Sequence, residues 1–319
     1  MTEPKRRGCL GCSFPIFILI AIVALGIFVL GFLAGPIGSE LIGEMEWLSW
    51  MSVEAPQPHL QAPELFHVLG LPITNTLIAS WITVIFLVVL SWVVTRRMKI
   101  VPGRLQVAFE FMLGWIYSLC ESIAGEKNGR KFFPVVCTIF LFVLFNAWLS
   151  LIPGFGSIEI TVNGNHQELL RGANTDINTP MAVALVSFVF VLYFGLKTIG
   201  MGFVRQYINF GPFFRSIGQV FRGKFNLMNI FSGAVDIFVG LLELLSMFIR
   251  IISFTFRLFG NMTAGEILLL IAAFLIPWVM AVPFYGLELL VGFVQALIFS
   301  GLTLVFVTMA VTPHGEEAH

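Results

Sequence analysis

Six polar residues, Glu243, Ser246, Arg250, Ser253, Arg257 and Asn261, interrupt one long apolar run of the sequence. Their spacings are 3, 4, 3, 4 and 4, so on a helix all six fall on one stripe. Flanked by Leu, Ile and Phe, such a stripe must face other protein or a water-filled path. Arg257 is the costliest member. A guanidinium keeps its proton, and holding it at mid-membrane depth costs at least about 2.5 kcal/mol. The plain explanation is packing, with the charge snorkelling to an interface or paired to a neighbouring acid. It suits Arg257 poorly, because no acid lies within one turn of it on the same segment. A fixed positive charge on an ion path fits better.

Carboxyl groups supply the titrating half of such chemistry. Glu266 stands nine residues beyond Arg257, about 180° around a helix of ~3.6 residues per turn, so it addresses a different surface. Glu288 and Gln295 follow, seven apart and again on one face. The 62 residues after Arg257 contain no Lys or Arg, which leaves it the last cation of its kind in the chain.

The elements that position these groups are membrane spans. Of the 319 residues 58% are hydrophobic and only 11% charged, and mean hydropathy is +0.94. That composition excludes a pair of soluble domains and places the chain among polytopic membrane proteins. Net charge is zero, so its distribution is the informative part. Cys9 and Cys12 form a lone C-x-x-C without a second pair or a nearby His, a poor zinc site, and Cys120 and Cys137 sit in apolar surroundings as small core residues.

Lys5, Arg6 and Arg7 precede an uncharged apolar run from about Phe14 to Leu33, long enough for a first span or signal anchor within residues 1–35. Cleavage near Ala34-Gly35 is the alternative. No Lys or Arg occurs between Arg7 and Arg96, while Glu40, Glu44, Glu46, Glu54 and Glu64 make residues 36–72 an acidic extracytoplasmic loop. A second span, about Ile73 to Val94, ends in Arg96, Arg97, Lys99 and Arg104 on the cytoplasmic side. Gln106 to Ala124 reads as an interfacial amphipathic helix or as half of a re-entrant hairpin. A third span, about Phe132 to Ile152, is stopped by Pro153-Gly154, and a fourth covers about Thr179 to Ile199. The next loop carries Arg205, Arg215, Arg222 and Lys224 and no acid from Lys197 to Val235.

Two long segments remain, about Asn229 to Ile276 and Phe284 to Ala310. A helix of ~45 residues is roughly 67 Å long, twice the hydrocarbon thickness, so the first of them must tilt or break. The expectation is an all-α polytopic protein of about six transmembrane helices, a single integral membrane domain over 1–319, with both termini cytoplasmic.

Several strings carry a family resemblance. FRLFGNMTAGE (Phe256 to Glu266) and LVGFVQALIFSGLTLVFVTMA resemble subunit a of bacterial F-type ATP synthases, as do PELFHVLGLPITNT, FNAWLSLIPGF and ANTDINT. The resemblance runs from about Pro63 to Ala310 and leaves the first span as an extension. It implies a proton-translocating channel and stator of the membrane Fo sector, built from residues 73–312, with its last two helices tilted against a rotating ring of c subunits. Arg257 would meet the ring carboxylate and block leakage between two offset half-channels. Asn261 and Gln295 would position that arginine and the ring site. Glu266 and Glu288 would line the half-channel from the outer side, where some relatives carry a histidine and this chain has glutamate twice. Asp176 and Asn178 would belong near the outer entrance, and Glu243, Arg250 and Ser253 toward the cytoplasmic exit. The resemblance further implies b subunits of a peripheral stalk and the rest of the F1Fo complex as partners, location in the cell (inner) membrane, and no cofactor, metal or nucleic acid.

No Gly-x-x-x-x-Gly-Lys-Ser/Thr loop occurs, so nucleotide chemistry is expected on partner chains and the subunit itself is expected to be non-catalytic. The competing reading is a self-contained secondary ion-coupled transporter. Such proteins usually show duplicated halves, and no duplication is visible here.

Overall fold

The computed structural model describes residues 14–43, 50, 53, 55, 62–68, 70–96, 98–152, 154–162, 165–200 and 227–312. The basic N-terminus with its C-x-x-C, the acids Glu44, Glu46 and Glu54, and the basic loop at 205–224 lie outside these residues. Helix α1 spans Phe14–Ala34 and α2 spans Pro36–Ile42. A hairpin of β1 (Glu64–Val68) and β2 (Leu71–Thr74) leads into α3, Asn75–Arg96. Helix α4 covers Arg104–Ser150, a second hairpin pairs β3 (Glu159–Val162) with β4 (Asn165–Glu168), and α5 covers Asn178–Ile199. Helices α6 (Leu227–Leu275) and α7 (Ala281–Val311) complete the chain.

Six of these helices are long and apolar enough to cross a membrane. The chain is an all-α multi-pass membrane protein. The two hairpins are short connectors that sequence reading leaves as loops, although Asn163-Gly164 between Val162 and Asn165 is a strong hairpin signal.

Helix α4 is two limbs meeting at Gly125, whose φ of 74° and ψ of 161° suit only glycine. The limbs run antiparallel and touch. Tyr117 meets Phe133 edge-on with ring centroids 5.3 Å apart, and a Cβ on Gly129 would come within 2.8 Å of the Cys120 carbonyl oxygen. Residues 106–124 belong to the first of these limbs. Gly125→Ala should cost about 1–3 kcal/mol of backbone strain, seen as a lower unfolding midpoint of the solubilised protein, and an unchanged midpoint would contradict the hairpin.

The described residues cluster into two compact units. In the larger one, 62–260 with 292–319, the second limb of α4 is the central post. Phe132, Val136, Phe140, Val143, Leu144 and Ala147 are buried along it at helical spacing. Phe132 packs edge-on against Phe190 and Phe194 of α5, while Trp115 and Phe140 both pack on Phe293 of α7. In the smaller unit, 1–61 with 261–291, α1 reaches the turn between α6 and α7. A Cβ on Gly31 would overlap the Pro277 carbonyl oxygen, and one on Gly35 the Leu275 carbonyl oxygen. Most of α1 before Gly31 is exposed. In that turn Trp278 holds a positive φ of 73°, unusual for an aromatic residue.

Helix α6 is continuous over 49 residues, without the break that is one of the two expected solutions.

Candidate functional site

The stripe on α6 lies along a border. On one side Met247, Phe254 and Leu258 are buried; on the other Ile249, Ile252 and Phe256 are exposed. Glu243, Arg250 and Arg257 are half-buried between them, while Ser246 and Ser253 are exposed. Among the described residues the stripe is therefore only half covered. The guanidinium of Arg250 stacks 3.6 Å above the Phe306 ring of α7, a cation–π contact that ties α6 to the last helix. Arg257 lies 5.8 Å from the Phe254 ring, which itself packs on Phe299 at 4.8 Å. Among the described residues of its own unit, no carboxylate forms an ion pair with Arg257.

In the smaller unit, Glu288 is 6% exposed and its carboxyl lies against the backbone of Gly265 on α6. A Cβ at Gly265 would overlap all three carboxyl atoms, so glycine is what admits the group. Glu266, next in sequence, and Asn261 are half-buried, and Thr263 beside them is buried with no hydrogen-bond partner for its hydroxyl among the described residues.

A third cluster gathers at the first turns of α3 and α5. Asp176 is 9% exposed, and its carboxylate accepts from the Thr76 hydroxyl at 3.0 Å. The Asn178 backbone N–H donates at 3.3 Å, and its side-chain amide donates to both oxygens at 3.2 and 3.1 Å. Thr76 also meets Thr74 at 2.9 Å, and the Asn75 amide donates to the Glu168 carbonyl at 3.2 Å. Asn75, Asn146 and Asn174 are also buried, each with at least one side-chain atom lacking a partner among the described residues, the setting in which buried water is found.

The family described as ATP synthase A chain matches residues 77–308, from the first turn of α3 almost to the end of α7. The chain belongs to the ATP synthase subunit a family. Proteins of that name include one from Gloeobacter violaceus, 32% identical over 243 residues that cover 76% of this chain and 86% of the relative. One from a Geobacter species is 32% identical over 258 residues, 80% of this chain and 95% of the relative. A third, from Moorella thermoacetica, is 27% identical over 257 residues, 80% and 99%. The matches cover 86% to 99% of these relatives and 76% to 80% of this chain.

Of the sequence-derived site residues, the structure brings Asp176 and Asn178 into one hydrogen-bonded group and sets Glu288 against α6. Gln295 is buried on α7, and Arg257 forms no ion pair with a described acid of its own unit. Ser253 and Asn178 are more open than a buried path suggests. Thr76, Asn75 and Asn146 were not singled out from sequence. Two of them sit in the string ITNT at the mouth of a span, where a hydroxyl and an amide at helix-start positions read simply as caps. Among the described residues no three His, Cys, Asp or Glu side chains cluster as a metal site.

Proposed function

We propose that this chain is the proton-conducting stator subunit of the Fo sector, working against a ring of c subunits, each of which carries a carboxyl at membrane depth. The observation that carries the reading is the half-covered stripe on α6. Arg257 stands at its edge with no described acid of its own unit to neutralise it, bordered by exposed Ile249, Ile252 and Phe256. A second polypeptide that brings a carboxylate to this edge completes the site.

The energetics suit a moving partner. A guanidinium–carboxylate pair at about 4 Å and an effective dielectric of ~20 has about 4 kcal/mol of Coulomb attraction before desolvation. That favours the deprotonated acid opposite Arg257. A potential supplies about 2.3 kcal/mol per charge per 100 mV, so with a pH gradient the ring can still be drawn onward. Glu266 and Glu288 receive protons from the outer side, with Asp176 and Asn178 near the entrance. Asn261 and Gln295 hold the arginine and the ring site in register, and Glu243, Arg250 and Ser253 lead to the cytoplasmic exit. The fixed charge of Arg257 keeps the two half-channels separate. Nucleotide chemistry resides on partner chains, b subunits brace this one as stator, and both termini lie on the cytoplasmic side of the cell membrane.

Cross-linking tests the partner. Ile249→Cys and Ser253→Cys, in the assembled complex, should form disulfides with cysteines placed one turn from the ring carboxylate. Failure of both, with the complex intact, overturns the docking. A further expectation concerns Gly265. Gly265→Val displaces the Glu288 carboxyl and should slow proton uptake by vesicles about tenfold, since small misplacements of reacting groups are costly. Uptake at the unmodified rate would remove Glu288 from the path.

A further inference from the structure

A cavity of about 570 Å³ opens between the first halves of α3 and α5, with α4 as its floor. One end is polar: Thr74, Thr76, Ser80, Asp176, Asn178 and Thr179 line it. The other end is apolar, walled by Ile139, Phe142 and Val183 and opening sideways past Trp81, Val84 and Val186, which are 52%, 47% and 56% exposed.

We propose that this cavity holds one acyl chain of a membrane lipid whose headgroup carries a primary ammonium seated at Asp176. Three observations converge on that occupant. The lateral opening lies on two spanning helices, where the neighbouring medium is hydrocarbon, and an apolar void that water leaves dry is filled by the acyl chains beside it. The length fits one leaflet. From Thr76 to Val84, and from Asn178 to Val186, the wall runs eight residues, about 12 Å at ~1.5 Å per residue, against roughly 15 Å for half the hydrocarbon core. The charge fits the headgroup. Among the described residues the Asp176 oxygens accept only from the neutral donors Thr76 and Asn178, and no basic side chain pairs with it. A buried carboxylate so placed selects a cationic N–H donor over a quaternary amine, which has no proton to give. The slot stands on these residues alone and does not depend on Arg257 facing a ring.

The test uses the intact complex in vesicles containing photoactivatable lipids, with a diazirine midway along one chain and either an ethanolamine or a choline headgroup. Labelled peptides are then mapped. The ethanolamine lipid should mark residues 77–84 and 182–186 about tenfold more than the choline lipid, the difference expected for a charge-assisted hydrogen bond. Asp176→Asn should abolish that headgroup preference while chain labelling persists. Ala182→Phe, which fills the slot, should remove the labelling, and Val183→Phe from the same wall serves if the first variant does not assemble. Labelling no stronger than on the exposed face of α1, or equal for both headgroups in the unmodified protein, overturns the proposal. So does labelling that persists in both filled variants.

Discussion

Vesicles carrying Arg257→Ala are expected to lose proton-driven ATP synthesis altogether, with the complex still assembled. Arg257 is half-buried beside Phe254 and forms no ion pair with a described acid of its own unit, so removing it breaks no internal bridge. The usual penalty for breaking a buried pair, about 3–5 kcal/mol, therefore does not apply, and folding should survive. On the proposed function, what is lost is the fixed charge opposite the incoming carboxylate. Without its roughly 4 kcal/mol of attraction the ring acid remains protonated at this position, and protons are free to cross. Two readouts separate function from folding: ATP synthesis driven by an imposed gradient, and the yield of intact complex. Arg257→Lys retains a charge but loses the planar fork, so it should restore little. Normal synthesis in Arg257→Ala would end the stator assignment.

Glu288→Gln is expected to slow proton uptake by about a hundredfold while leaving the backbone packing around Gly265 intact. Glutamine nearly matches the shape of glutamate, so the tight contact with the α6 backbone is kept. Only the exchangeable carboxyl proton is gone, and a positioned acid or base typically contributes about 10²–10⁴-fold. The measurement is passive proton flux through the membrane sector after removal of the soluble sector. Glu266→Gln provides the comparison: if both carboxyls serve one relay, the double variant should be little slower than the slower single one. Flux unchanged in Glu288→Gln would count against a relay.

How far the sequence carried these conclusions differs by element. The spans were legible because membrane helices announce themselves through length and charge asymmetry. Expectation and structure agree to within a few residues for Asn75–Arg96 and Asn178–Ile199. The stripe from Glu243 to Asn261 was legible because α6 runs unbroken, so simple spacing held. What spacing could not give is the border on which that stripe lies. Which flank of α6 is covered depends on Phe299 and Phe306, about 50 residues away in sequence. The Asp176 cluster was legible only in part. Its partner Thr76 is 100 residues distant, and nothing local to either residue reports the hydrogen bond between them. The α4 hairpin turns on Gly125 alone, and a single glycine between Ala124 and Glu126 is too common a signal to fix a reversal.

The glycines by which α1 meets the turn between α6 and α7 carry a consequence for how the protein is made. The carbonyls of Leu275 and Pro277 that face Gly35 and Gly31 are encoded some 240 residues later. At synthesis rates of about 5–20 residues per second, α1 is in place for roughly 12–50 seconds before its docking site has been translated. Its insertion must therefore stand on its own apolar length, and its seating on the α6–α7 turn comes as a separate, later event in the bilayer. A newborn chain stalled before residue 275 should hold α1 across the membrane but undocked, accessible along the glycine edge to cross-linkers that the finished protein excludes.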